Sequence, residues 1–150
     1  MLEVSLETEQ YWAGLQAGLD EETVVVTDSG HKPWGQVLLT RDQVVFADEP
    51  PALGGQNSGT TPTHLVLMAL GACTAITTRM YAARKEWTID RIAVRLRWVP
   101  EFTNIERHIE IDGPLDAEQR SRLLQIAEKC PVHKILTGGV AVQSELAPAS

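Results

Sequence analysis

A chain of 150 residues is long enough to bury a real core and is read as a single domain, residues 1–150. Its net charge of −7 excludes a nucleic-acid surface, which needs a basic patch. Its uncharged run at 65–76 is too short for a bilayer span of about 20 residues, so no membrane partner is expected either.

The start, MLEVSLETEQYW, lacks the basic residues and apolar stretch of a signal peptide, which makes the cytoplasm the expected compartment. Residues 5–19 carry weak helical periodicity in Leu6, Tyr11, Leu15 and Leu19, with Glu7 and Glu9 suited to a first turn. TVVVT at 23–27 is β-branched and predicts a strand, DSGHKP at 28–33 is turn chemistry, and 34–40 and 43–47 predict two more strands joined at Arg41-Asp42. Three short strands in succession imply an antiparallel meander. DEPPALGGQNSGTT at 48–61 is a long loop without repeats, a length more often functional than idle in a compact domain.

Thr61 then offers an N-cap and Pro62 the first helical position, with the helix ending near Lys85. Its apolar positions run around most of the circumference, which predicts a buried helix. One sheet and one other helix give little cover for it in a small domain, so a second subunit is expected. Within 89–99, Ile92, Val94, Leu96 and Trp98 share one face and Arg91, Arg95 and Arg97 the other, and 105–111 pairs with it through Glu106, His108 and Glu110. Arg107 falls on the apolar face with Ile105, Ile109 and Ile111, where a cation needs a partner. Asp116 and Gln119 predict a capping box. Leu123, Ile126, Ala127 and Cys130 form the buried face of the helix that follows, with Cys130 in its last turn and Pro131 ending it. A strand over 138–146 closes the chain. This order implies α+β architecture, an antiparallel sheet around a buried central helix.

Cys73 in the central helix and Cys130 in KCPVHK both lie on buried faces. In a reducing compartment two cysteines are read as free, redox-active or metal-binding, not as a permanent staple. If they meet, thiol–disulfide redox is the natural chemistry: an oxidised sulfenic acid on one condenses with the other. Such chemistry needs a thiolate, hence a cation or N–H groups nearby; without them, both are core filler. A Cys₂His₂ metal set of Cys73, Cys130, His133 and His64 is disfavoured, since only C-x₂-H is present at 130–133 and His64 lies roughly 13 Å along the helix from Cys73. Nothing marks a Cys–His hydrolase, and LGGQNSG lacks the lysine of a phosphate loop.

The stretch DEPPALGGQNSGTTPTHLVLMALGACTAITTRMYAARKEW, followed by IERHIEIDGPLDAEQRSRLLQIAEKCPVHKIL, resembles the OsmC/Ohr family, and most of all its OsmC-like branch. The resemblance implies an intertwined α+β homodimer with active sites at the subunit interface. It implies a cysteine-based, thiol-dependent peroxidase that reduces organic hydroperoxides through a Cys73 sulfenic acid resolved by Cys130. No metal or prosthetic cofactor is implied, and the reductant would be a dithiol, a lipoylated protein in the best-known branch. That branch has a glutamate after the motif proline, where this chain has Thr63, which leaves Glu49 and Arg107 as candidate activators of Cys73. The alternative is a non-enzymatic small-ligand-binding protein with an apolar pocket at the dimer interface.

Overall fold

The computed structural model describes residues 4–149. The chain divides into two compact units, Met1–Leu65 and Val66–Ser150.

In the first unit, helix α1 spans Leu6–Ala17, and the Ser5 hydroxyl caps it by accepting from the Thr8 N–H. Strands β1 (Val25–Asp28), β2 (Gln36–Leu39) and β3 (Val44–Ala47) form an antiparallel sheet in that order, as the meander pattern predicts. β2 registers Val26 against Leu38 on one side and Val45 against Leu38 on the other. Trp12 of α1 packs on Val37 and Leu39 to make the core, and its ring meets Phe46 edge-on at 5.7 Å. Gln16 ties the helix to the β2–β3 turn through the carbonyls of Thr40 and Gln43.

Helix α2, Pro62–Arg84, begins at the end of the first unit and runs through the second. Thr61 caps it: its Oγ1 accepts from the His64 N–H. At 23 residues it extends beyond the uncharged run and is by length and composition alone long and apolar enough to cross a membrane, a test the core helix of a globular protein also passes. It is not buried all round. Leu67, Leu70, Gly71, Thr74, Thr78 and Ala82 line one buried face. The opposite face shows Met68, Ala72, Ile76 and Met80 at four-residue intervals, all exposed in the single chain. Gly71 lets β4 come close: a Cβ there would stand 2.8 Å from Leu96 Cδ1, the end of a side chain that would have to give way.

Strands β4 (Arg91–Trp98) and β5 (Ile105–Asp112) form a second antiparallel sheet, pairing Arg91 with Asp112 at one end and Trp98 with Ile105 at the other. The predicted charged faces meet: Arg91 pairs with Asp112 at 2.8 Å, Arg97 with Glu106 at 2.6 Å and Arg95 with Glu110 at 3.4 Å. These pairs are solvated and each contributes at most about 1 kcal/mol; the register comes from the apolar side.

Helix α3, Ala117–Ala127, opens on the capping box of Asp116 and Gln119 and buries Leu123, Ile126 and Ala127. Arg120 fastens it to the end of β5 by donating to the carbonyls of Ile111 and Gly113.

Two sequence expectations fail here. Pro131 does not simply end a helix. It starts a further one, α4 (Pro131–Gly138), and Cys130 is its N-cap, not the last turn of α3. The residue before proline is driven to extended backbone, and Cys130 sits at φ −65°, ψ 147°. The proline itself suits the first helical position. The strand expected over 138–146 is absent: α4 occupies its first residue, and 139–149 hold no regular structure. Val140, Val142 and Leu146 alternate as strand residues do, but all three are exposed and no strand among the described residues pairs with them. Alternation makes a strand only where a partner supplies the hydrogen bonds.

Candidate functional site

The chemistry-bearing residues of the second unit converge around Arg107. Its position on β5 turns the side chain inward, as the period-two pattern predicts. Nη1 donates to Thr74 Oγ1 at 3.0 Å, and Nη2 lies 3.2 Å from His133 Nδ1. Thr74 follows Cys73 on α2 and is fully buried. Its hydroxyl gives its proton to the Leu70 carbonyl at 2.6 Å, so toward Arg107 it can only accept. The partners of the inward cation are thus a hydroxyl and an imidazole, not a carboxylate.

Cys130 is fully buried at the N-cap of α4, where its Sγ accepts from the His133 backbone N–H at 3.3 Å. This is the place a serine oxygen takes in an ordinary cap. Cys73 is half-buried, between the packed face of α2 and its exposed apolar stripe, with Sγ 4.0 Å from Thr77 Oγ1. Both cysteines are free thiols. Arg107 therefore joins the residue next to one cysteine to the histidine whose N–H caps the other.

Beside Arg107 and His133 lies a cavity of about 680 Å³. Leu70, Trp98, Ile105, Leu124 and Leu136 supply most of its apolar wall. The arrangement sets a cation and an imidazole in the wall of an open cavity whose lining is apolar and polar in near-equal parts.

Glu49 lies in the first unit. Its backbone is fixed, with the N–H donating to Asp48 Oδ1 and the carbonyl accepting from Asn57, but among the described residues its carboxylate makes no hydrogen bond or ion pair. The acid that organises the 48–61 loop is its neighbour. Asp48 is buried, and its carboxylate accepts from the N–H groups of Glu49, Gln56 and Ser58 and from the Ser58 hydroxyl. These bonds, the Ser58 hydroxyl foremost, hold its carboxyl down from 3.8 to about 2. Gly55 admits the tight return of this loop, since a Cβ there would stand 1.9 Å from the Glu49 carbonyl oxygen.

Three participants were missed in the sequence: Thr74, Asp48 and the cap at Cys130. Only the last carried a signal. In C-P-V-H, proline at the first helical position makes Cys130 the N-cap and puts the His133 N–H in reach of its sulfur. Among the described residues no group of three His, Cys, Asp or Glu side chains is placed to hold a metal ion.

Two antiparallel sheets and four α-helices among the described residues make this a mixed α+β protein. The family model for OsmC-like proteins matches residues 55–145, and the chain belongs to the OsmC/Ohr family. Solved structures share the fold. A Psychrobacter arcticus protein described as osmotic-stress-induced and of the detoxification response has a TM-score of 0.67 at 20% identity, over 77% of this chain and 88% of that one. An OsmC-like protein from Mycoplasma pneumoniae gives 0.62 at 19% identity, over 79% and 89%. An organic hydroperoxide resistance protein from Legionella pneumophila gives 0.55 at 20% identity, over 79% and 92%. No curated protein matches the chain significantly.

Proposed function

We propose that this chain is a cytoplasmic thiol-dependent peroxidase acting on organic hydroperoxides. The observation that carries the reading is the link from Thr74 through Arg107 to His133 and Cys130, which ties a guanidinium to the surroundings of both cysteines. Family membership and the hydroperoxide-resistance name of the Legionella relative support it.

In this reading the Cys73 thiolate attacks one oxygen of the hydroperoxide. An S–O bond forms, the O–O bond breaks, and the alcohol leaves after taking a proton. The Cys130 thiolate then attacks the sulfenic sulfur, forming the disulfide as the S–O bond breaks and hydroxide leaves as water. A dithiol, such as a lipoylated protein, returns two electrons and two protons. Arg107 and the α4 cap supply positive potential around the sulfurs. No cofactor takes part.

The working unit in this reading is a homodimer in which the exposed stripe of α2 is covered by a second copy, completing the burial of that helix. Cys73, at the border of the stripe, would then lie at the interface.

The test is consumption of cumene hydroperoxide by reduced protein with a dithiol present. Cys73→Ser abolishes turnover, and Cys130→Ser leaves a trappable sulfenic acid on Cys73. Equal slow consumption by wild type and Cys73→Ser rejects the reading. The cavity beside Arg107 favours one alternative, a non-enzymatic carrier of a small apolar ligand. Native mass spectrometry of freshly purified protein would then show a retained ligand, with both thiols inert to peroxide.

A further inference from the structure

In the peroxidase reading His133 contributes a backbone N–H to Cys130. Its ring makes a separate contact. A guanidinium has five N–H donors and no acceptor. The 3.2 Å approach of Arg107 Nη2 to His133 Nδ1 is therefore a hydrogen bond only if Nδ1 offers its lone pair. That places the ring proton on Nε2 and leaves the imidazole neutral. At its other end Arg107 meets Thr74 Oγ1, which also can only accept. No carboxylate among the described residues pairs with Arg107; its hydrogen-bond partners among them are Thr74 and His133.

We propose that His133 is the positioning residue for Arg107, its ring nitrogen holding the guanidinium beside Thr74. A doubly protonated ring would turn an N–H and a like charge toward Arg107. Arg107 from β5 and Glu128 from the end of α3 line the same cavity as the ring. Glu128 is exposed and Arg107 half-buried. The proposal rests on the peroxidase reading only in holding that the placement of Arg107 governs turnover.

Nitrogen-15 spectra of the reduced protein test the contact without reference to activity. At pH 8, His133 Nδ1 is expected to carry no proton, and one slowly exchanging guanidinium signal, assigned by its loss in Arg107→Lys, is expected to vanish in His133→Ala. His133→Asn sets an amide oxygen near the place of Nδ1 and should keep the guanidinium signal that His133→Ala loses. A proton on Nδ1 at pH 8, or a guanidinium signal indifferent to His133→Ala, overturns the proposal.

Cumene hydroperoxide consumption by the same samples tests the functional half. The alanine variant should be slower by up to about a hundredfold, the scale of a misplaced catalytic group. The asparagine variant, which restores an acceptor, should recover most of the activity. Equal turnover in wild type and His133→Ala overturns the positioning role. If even wild type consumes no peroxide, the peroxidase reading fails, and the spectra still decide the contact.

Discussion

Arg107 and Thr74 meet across 3.0 Å between β5 and α2, and the threonine hydroxyl, its proton already given to Leu70, is an obligate acceptor. The contact is half-buried, so its loss leaves a guanidinium short of a partner away from bulk water. Thr74→Val, which keeps the shape and removes the acceptor, should cost about 1–3 kcal/mol. Thr74→Ser should recover most of it. Urea unfolding midpoints of the three proteins check this, with Thr78→Val as a reference. Thr78 is equally buried and donates to the Thr74 carbonyl, but it holds no cation.

The Asp48 carboxylate gives the 48–61 loop a defined acid limit. Its carboxyl sits lower when folded, at about 2, than the ordinary value of 3.8. A depressed carboxylate contributes stability that is present above its unfolded value and is lost as pH falls through its folded value. The contribution should therefore be complete at pH 5 and above and fade between about pH 4 and pH 2. Asp48→Asn keeps the size but loses the charge on four hydrogen bonds. It should lower the protection factors of the Gln56 and Ser58 amides at pH 6, and those factors should no longer fall toward acid. Unchanged amide protection in the variant would reject Asp48 as the organiser of the loop.

The sequence made the local elements legible wherever a pattern and its partner lay in the same chain. The caps at Thr61 and Asp116, the β1–β3 meander and the charged face of β4–β5 follow from residues a few positions apart. Arg107 stood out because a cation on an apolar face breaks period two. Its partners did not, since Thr74 and His133 lie 33 and 26 residues away. Asp48 was hidden for another reason: beside Glu49, nothing in DEP says which carboxylate turns inward to meet Ser58. The expected strand at 138–146 failed because alternation reports which side chains want cover, not what supplies it.

The cysteine at the head of α4 has a structural role separable from redox. Its sulfur takes the His133 N–H where a serine oxygen would sit, so Cys130→Ser should keep the cap and Cys130→Ala should lose it, at about 1 kcal/mol. Both substitutions remove the resolving thiol. In the peroxidase reading both therefore stall at the sulfenic acid, yet only the alanine variant should melt earlier, by roughly 2–8 °C. Thermal melting under reducing conditions checks this. Equal melting temperatures for the two variants would mean that the Cys130–His133 contact contributes nothing to holding α4.

The exposed stripe on α2 carries the most direct test of assembly. Met68, Ile76 and Met80 are 54%, 58% and 63% exposed in the single chain, on the side of the helix opposite Leu70, Thr74 and Thr78. Covering such side chains yields about 1.5–3 kcal/mol each, so a second copy seated there would draw much of its affinity from three residues. Ile76→Glu would put an unpaired carboxylate into that contact, where desolvation costs far more than the lost apolar area. Sedimentation at micromolar concentration should show a dimer for wild type and a folded monomer for the variant, with the β4–β5 and α3 contacts intact because position 76 faces away from them. A monomeric wild type would reject the dimer. A dimer that survives Ile76→Glu would move the interface off this face, and Cys73 would then lose its place beside a second subunit.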